Sequence, residues 1–402
     1  MNNQQKIITG LLALGLGFGC GGQTETKGEA KAPEPTVTRQ KIGNISAVDL
    51  AVCFPKAPAL PAKINTSVLT GLLVAARPVV MECLVDPKNR GPEDGTEFTI
   101  ETTLTGGKLT HKVTGTNTTP DGEKCIAAGV DKFVATAPDW TAKAAATPGT
   151  VTAKAPFQHS AANMPSVKMG MSEGSDATGL IRIAEISFCD CYEPWKEAEP
   201  AVLKASVKLK KAGGNSIAFD AQTDPAATQV ATCLQPKVSA LPMKTTSDEM
   251  TVPFTFSFAN SSGTGMYAKA DPPMAFMQYE AVRTQYFGAS LVADGGRVVA
   301  AEAYGALGQQ YKKDTKSVTI KQLQDSCGAL LTAHDVYIAA LEKQLALEEK
   351  AITMLTEFAG KDAGWAPVKE GTEKHAAQSK KDIESAKAVR AEDSATCDKL
   401  KI

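Results

Sequence analysis

The chain has 402 residues, of which 43% are hydrophobic, 6% aromatic and 22% charged, with a net charge of −1. That balance excludes the basic stripe a nucleic-acid-binding surface needs, and past the N-terminus no apolar run reaches the about eighteen residues of a spanning helix. The length exceeds what one hydrophobic core supports and predicts two or three domains.

At the N-terminus, a short polar start carrying Lys6 precedes the apolar run Ile7–Phe18, which leads into Gly17-Phe18-Gly19-Cys20. This is the layout of a secretory signal peptide over residues 1–19, too short to cross a bilayer. It resembles the lipoprotein class of signal, although Gly17 stands where that class usually has Leu. The resemblance implies that Cys20 is acylated and becomes the first mature residue. Gly17-x-Gly19 also suits an ordinary signal peptidase at the same bond, which would leave a soluble protein with a free N-terminal thiol. Cysteine arithmetic favours the lipid. The nine cysteines stand at 20, 53, 83, 125, 189, 191, 233, 327 and 397, and an odd number in an exported protein leaves one thiol over. Assigning Cys20 to the anchor leaves eight for four disulfides. Gly21, where inner-membrane lipoproteins of this class commonly carry Asp, implies the outer membrane, on its periplasmic or surface face. Residues 20–43 then form a lipidated tether without apolar periodicity, rich in Gly, Pro, Thr, Glu and Lys. Its reach is roughly 25 Å by flexible-chain scaling.

The next two segments are copies of one unit. Cys83 and Cys125 are 42 residues apart, and so are Cys191 and Cys233. Between the members of each pair lies an alternating stretch, Glu97–Val113 and Ala205–Phe219, broken by Gly106-Gly107 and Gly213-Gly214. Period-two alternation around Gly-Gly predicts a hairpin. A helical pattern opening at the second cysteine follows, with Cys125, Ile126, Val130 and Phe133 matching Cys233, Leu234, Val238 and Leu241. Each copy ends in a strand with a Pro-Phe pair, Pro156-Phe157 and Pro253-Phe254, and the first carries an insertion around Trp140–Gly149. The repeated spacing predicts Cys83–Cys125 and Cys191–Cys233 disulfides, each closing a loop worth about 3–4 kcal/mol by chain entropy.

Hairpin, Cys-aliphatic helix and Val-x-x-Pro-Phe strand together resemble the C-terminal domain of TonB-type proteins. The nearest likeness is the cysteine-bearing variant at the ends of gliding-motility proteins of the AgmX/PglI type. The resemblance implies β-β-α-β modules that dock partners in the periplasm. Energy transduction does not carry over, because the chain lacks the inner-membrane anchor and Pro-rich spacer of the parent family.

Beyond Pro272 the period changes. Pro273–Leu291 and Arg297–Lys312 read as two shorter helices parted by Asp294-Gly295-Gly296. Thr319–Phe358 carries a 3–4 apolar spacing, Gly360–Pro367 breaks it, and Glu370–Leu400 resumes with a thinner stripe. Two long helices about one bend predict an antiparallel hairpin. At 1.5 Å rise per residue, Cys327 and Cys397 sit at equal heights about 50 Å from the turn. A Cys327–Cys397 disulfide closing the open end follows, and by elimination Cys53 pairs with Cys189. The expected fold is α+β: tandem modules over 44–165 and 178–262, then a helical domain over 270–402.

No catalytic or metal motif emerges. His111 lies in a hairpin strand, His159 follows the last strand of the first copy, His334 lies on an apolar helix face and His375 begins the last helix, none at ligand spacing to another. Cys189-Asp190-Cys191 is a weak metal signal without a nearby His. His334-Asp335 invites a catalytic reading, but adjacent helical residues point apart. Trp140, Trp195 and Trp365 read as packing or bend residues. The expectation is a non-enzymatic envelope lipoprotein without cofactor or metal. It binds envelope proteins through its modules, meets the membrane only through the lipid on Cys20 and binds no nucleic acid. The alternatives are a secreted enzyme with an inter-domain site and a structural lipoprotein associated with the cell wall.

Overall fold

The computed structural model describes residues 48–85, 87–89, 96–159, 173–195, 201–259 and 272–400. The expected signal peptide, Cys20 and tether lie outside the described residues. The fold is mixed α and β, with two small sheets followed by three long helices.

The first two elements, β1 (Val48–Asp49) and α1 (Leu50–Cys53), precede a helical pair, α2 (Thr66–Ala75) and α3 (Arg77–Val85). Then come β2 (Thr96–Thr105), β3 (Lys108–Thr116), α4 (Pro120–Val134), α5 (Trp140–Ala145) and β4 (Thr150–His159). The strands form one antiparallel sheet in the order β3-β2-β4. Gly106 and Gly107 have φ of 55° and 78°, the paired positive values a two-residue primed turn requires. Phe98, Ile100 and Leu104 face inward with Ala153, Ala155 and Phe157. Ile126, Val130 and Phe133 of α4 pack on them in one core. Helix α2, apolar on all sides and buried from Val68 to Ala75, completes that core. The inserted segment around Trp140 is α5.

The second unit has α6 (Glu173–Ala184), a 3-10 stretch over Glu185–Trp195, β5 (Ala201–Lys210), β6 (Ser216–Phe219), α7 (Pro225–Ser239) and β7 (Glu249–Ala259). Its order β6-β5-β7, all antiparallel, repeats that of the first sheet. Phe254, Phe256 and Phe258 line its inner face, and Phe258 meets the rings of Tyr192 and Trp195 at 4.7 and 4.9 Å.

Three expectations need correction. The first unit does not begin at residue 44. Strand β1 pairs in parallel with β7 through Val48–Phe258 and Asp49–Ala259, and Leu50 is buried in the second core. The helices of the two units do not open at their cysteines. They start at Pro120 and Pro225, where Thr119 and Asp224 cap the free N–H groups and Pro occupies a first-turn position that needs no donor. Finally, Asp294-Gly295-Gly296 breaks nothing, because Pro272–Lys313 is one helix, α8. Gly295 is there for proximity. A Cβ on it would lie 2.5 Å from Val68 of α2, and its carbonyl accepts from Asn65 Nδ2 at 3.0 Å.

Helices α9 (Ile320–Lys361) and α10 (Ala366–Asp398) form the hairpin, turning through Ala363–Trp365. Thr319 and Gln322 make a reciprocal capping box at the start of α9. The buried face of α10 is thin, with Thr372, Ala376, Ser379, Ile383, Ala386 and Cys397. Cross-helix pairs supplement it: Lys380–Glu349 at 3.0 Å, Lys387–Glu342 at 2.8 Å and Arg390 Nη2–Asp335 at 3.0 Å. Helix α9 lies between α10 and α8. Near the bend, Tyr279 and Val282 of α8 pack with Leu347, Leu355, Phe358 and Trp365.

Candidate functional site

The cysteines come together as Cys53–Cys189, expected by elimination, and as Cys83–Cys125, Cys191–Cys233 and Cys327–Cys397, expected from spacing and helix geometry, with Cα separations of 5.1 to 5.8 Å. The two intra-unit bonds tie α4 and α7 to the segments that lead into their sheets. The carboxylate of Asp190 and the sulfurs of Cys191 and Cys233 lie within 4.8 Å of one another, the one such ligand cluster among the described residues. As a metal site it is closed. A metal needs thiolates, whereas these sulfurs are bonded to each other, and Lys237 Nζ holds Asp190 at 2.5 and 2.7 Å.

His111 gives the best-formed polar relay. Its Nδ1 lies 2.8 Å from Thr102 Oγ1 and its Nε2 2.9 Å from Asp131 Oδ1. Hydroxyl, imidazole and carboxylate in series are the parts of a nucleophilic triad. Thr102, however, is 0% exposed in the core, so no substrate reaches its oxygen. The second unit shows that the fold does not need the relay. By the register of the strand pairing and the 42-residue cysteine spacing, the matching positions are Leu209, Asn215 and Ser239. The relay ties hairpin to helix. Sequence reasoning placed His111 but missed both partners; the available signal was a histidine in the inward row of β3 beside Leu109 and Val113.

His334 does not engage Asp335. Its Nε2 meets Asp393 of α10 at 2.7 Å, while Asp335 pairs with Arg390. His159 closes β4. His375 of α10 lies half-buried at a junction where α3, α8, α9 and α10 bring charged groups together. There Arg283 binds Glu280 through Nε and Nη2 at 2.9 and 3.1 Å. Burial raises the Glu280 carboxyl, but Arg283, with Arg77 behind it, outweighs this and holds it below its ordinary value. Burial and then Arg283 depress His375 to about 4.

One turn deeper, Glu348 is 0% exposed. It accepts from Gln344 Nε2 at 3.0 Å and from Ser379 Oγ at 2.7 Å, and Ser290 reaches Gln344 at 3.3 Å. Burial raises the Glu348 carboxyl despite these donors. Alongside the junction runs a small crevice lined by Val74, Arg77, Pro156, Phe157, Arg283, Thr284 and Phe287. None of this was read from sequence, although Gln344 and Glu348, four apart on an otherwise apolar stripe, were the available sign.

The chain matches no protein-family model, no curated protein and no solved structure. Function therefore has to be argued from its own residues.

Proposed function

We propose that the chain is a non-enzymatic lipoprotein of the outer membrane that holds envelope proteins through its two tandem β-β-α-β modules. The observation that carries this reading is the duplication: two sheets of the same strand order, each ending at an outer strand, β3 or β6, that pairs on one side only among the described residues. An unpaired strand edge offers main-chain donors and acceptors to an extended partner. Two weak sites on one tether raise each other's effective concentration without tight contacts at either. The resemblance to TonB C-terminal domains supports the same role. The acid–base groups described above are sealed in cores or spent on one another, so the reading assigns no catalysis.

A photo-crosslinking residue at Thr114 of β3 or Ala218 of β6, in the full-length protein in cells, tests the docking. Defined envelope proteins captured at both positions support it. Glycan fragments alone would favour the structural alternative, and turnover of a small-molecule panel lost on one side-chain substitution would favour an enzyme. The intact mass of the N-terminal peptide tests the anchor, since an unmodified Cys20 ends the lipoprotein reading.

A further inference from the structure

The outer strand of the first sheet, β3, differs from its counterpart β6 in length and in charge. It runs nine residues, Lys108–Thr116, against four for Ser216–Phe219. Thr105 and Lys108 flank the two-residue turn and face each other across the hairpin, the hydrogen-bonded place in such a turn. From there the alternation of an antiparallel ladder turns the N–H and C=O of Leu109, His111 and Val113 away from β2. Their side chains point to the core side, half-buried, where the His111 ring is tied to Thr102 and to Asp131 of α4. The relay thereby pins this edge strand to the helix.

The opposite face of the same strand carries Lys108, Thr110, Lys112 and Thr114, all exposed. Neither lysine has an ion pair among the described residues. Glu101, across from Lys112 on β2, is taken by Lys154 of β4 at 2.6 Å. Asp131, which borders the edge from α4, is engaged by His111 at 2.9 Å. Lysines on an edge strand discourage pairing with another edge like it. A second copy of β3 laid alongside would gather the lysines of both strands on one face, and like charges across strands are destabilising. An acidic strand meets the opposite condition. The sister edge has Ser216 and Ala218 at its outward positions and exerts no such preference.

We propose that the β3 edge takes an extended acidic segment of a partner protein, with two carboxylates four residues apart opposite Lys108 and Lys112. The inference rests on the docking reading and narrows it, since it gives the first module a partner chemistry that the second does not share. Main-chain bonds to Leu109, His111 and Val113 supply affinity for any extended chain, and the carboxylates choose the chain and set its register. Core-side residues of the bound segment are small or apolar, because they lie beside Leu109, Val113 and the half-buried Ala127 of α4, one turn before Asp131.

The test uses the purified exported protein and three nine-residue peptides that alternate threonine with valine and carry glutamate, glutamine or lysine at the third and seventh positions. Amide exchange, read residue by residue by magnetic resonance, is the readout. The glutamate peptide should slow exchange at Leu109, His111 and Val113. At low salt it should bind about tenfold tighter than the glutamine peptide, the combined effect of two facing charge pairs, and the lysine peptide should bind weakest. In the double variant Lys108→Gln/Lys112→Gln, whose changes are at exposed positions, the glutamate and glutamine peptides should bind alike. Equal binding of those two peptides to the unsubstituted protein, or a preference that survives the double substitution, overturns the acidic assignment and leaves the docking reading standing. Exchange left unchanged at β3 overturns it as well, and exchange unchanged at both β3 and β6 takes the docking reading down with it.

Discussion

Replacing Gly288 by Ala should destabilise the protein, although the same change in an open helix interior stabilises it. An alanine adds about 1 kcal/mol of helix propensity over glycine. At position 288 the new Cβ would lie 2.5 Å from Ala75 N, 2.5 Å from Gly71 O and 2.6 Å from Ala75 Cβ. None of these is the end of a flexible side chain. Ordinary contact begins near 3.4 Å, so α2 and α8 must part by about 0.9 Å, the difference between those distances. A gap of that size forfeits up to about half of each dispersion contact along the crossing, and overpacking of this kind costs about 1–3 kcal/mol. The net expectation is a loss of up to about 2 kcal/mol. Gly305 and Gly308 lie on the same helix with nothing within 4 Å of a built Cβ, so Gly305→Ala should gain up to about 1 kcal/mol. Urea titrations of both variants, followed by near-ultraviolet circular dichroism, read the contrast in sign. Equal midpoints for Gly288→Ala and Gly305→Ala would refute the close crossing.

Serine at both Cys327 and Cys397 removes a bond closing 70 residues, worth about 4 kcal/mol by chain entropy. Amide exchange should then quicken first in α10, whose apolar face cannot hold it alone. Glu348 is raised above its ordinary 4.5 by burial, so its contribution is fully present below 4.5 and is lost as pH rises through the folded value. Glu348→Gln should therefore be more stable than the parent at pH 7 and not at pH 4, as measured by paired urea titrations. His375 is depressed from 6.5 to about 4, by burial and then by Arg283. Its contribution is present above 6.5 and erodes as pH falls towards 4. His375→Gln should flatten the fall in Tm between those values, and an unchanged slope would remove His375 from the acid response.

Most of the β units and the hairpin was legible because local rules and distant contacts agree there. Gly106-Gly107 needs positive φ whatever surrounds it, and Cys327 and Cys397 reach equal heights by helix geometry alone. What escaped the sequence depends on partners far along the chain. Gly295 looks like a breaker until α2 lies against it, because one residue type serves both a turn and a close approach. Val48 and Asp49 carry no local mark of joining a strand some two hundred residues away, since parallel pairing leaves no turn between its members. Among candidate site residues the cysteines were readable through their repeated spacing. The Arg77, Glu280, Arg283 and Glu348 junction was not, since four elements that meet only in the folded protein supply it.

The attachment of β1 changes how the two modules share their work. Whatever precedes Val48 hands over to the second sheet, through the β1–β7 pairing and the Cys53–Cys189 bond. The covalent path from residue 53 to residue 189 is thus a single S–S bond, and the entire first module hangs in the loop it closes. Residues 49–51 also reach α8 directly, through Asp49 N–H to Gln278 Oε1 at 2.7 Å and Gln285 Nε2 to the Ala51 carbonyl at 3.1 Å, so tension between residue 48 and the helical region is shared by these contacts and the second module, while the first is held by the α2–α8 crossing at Gly71, Gly288 and Gly295. The two copies share a fold but occupy different mechanical positions.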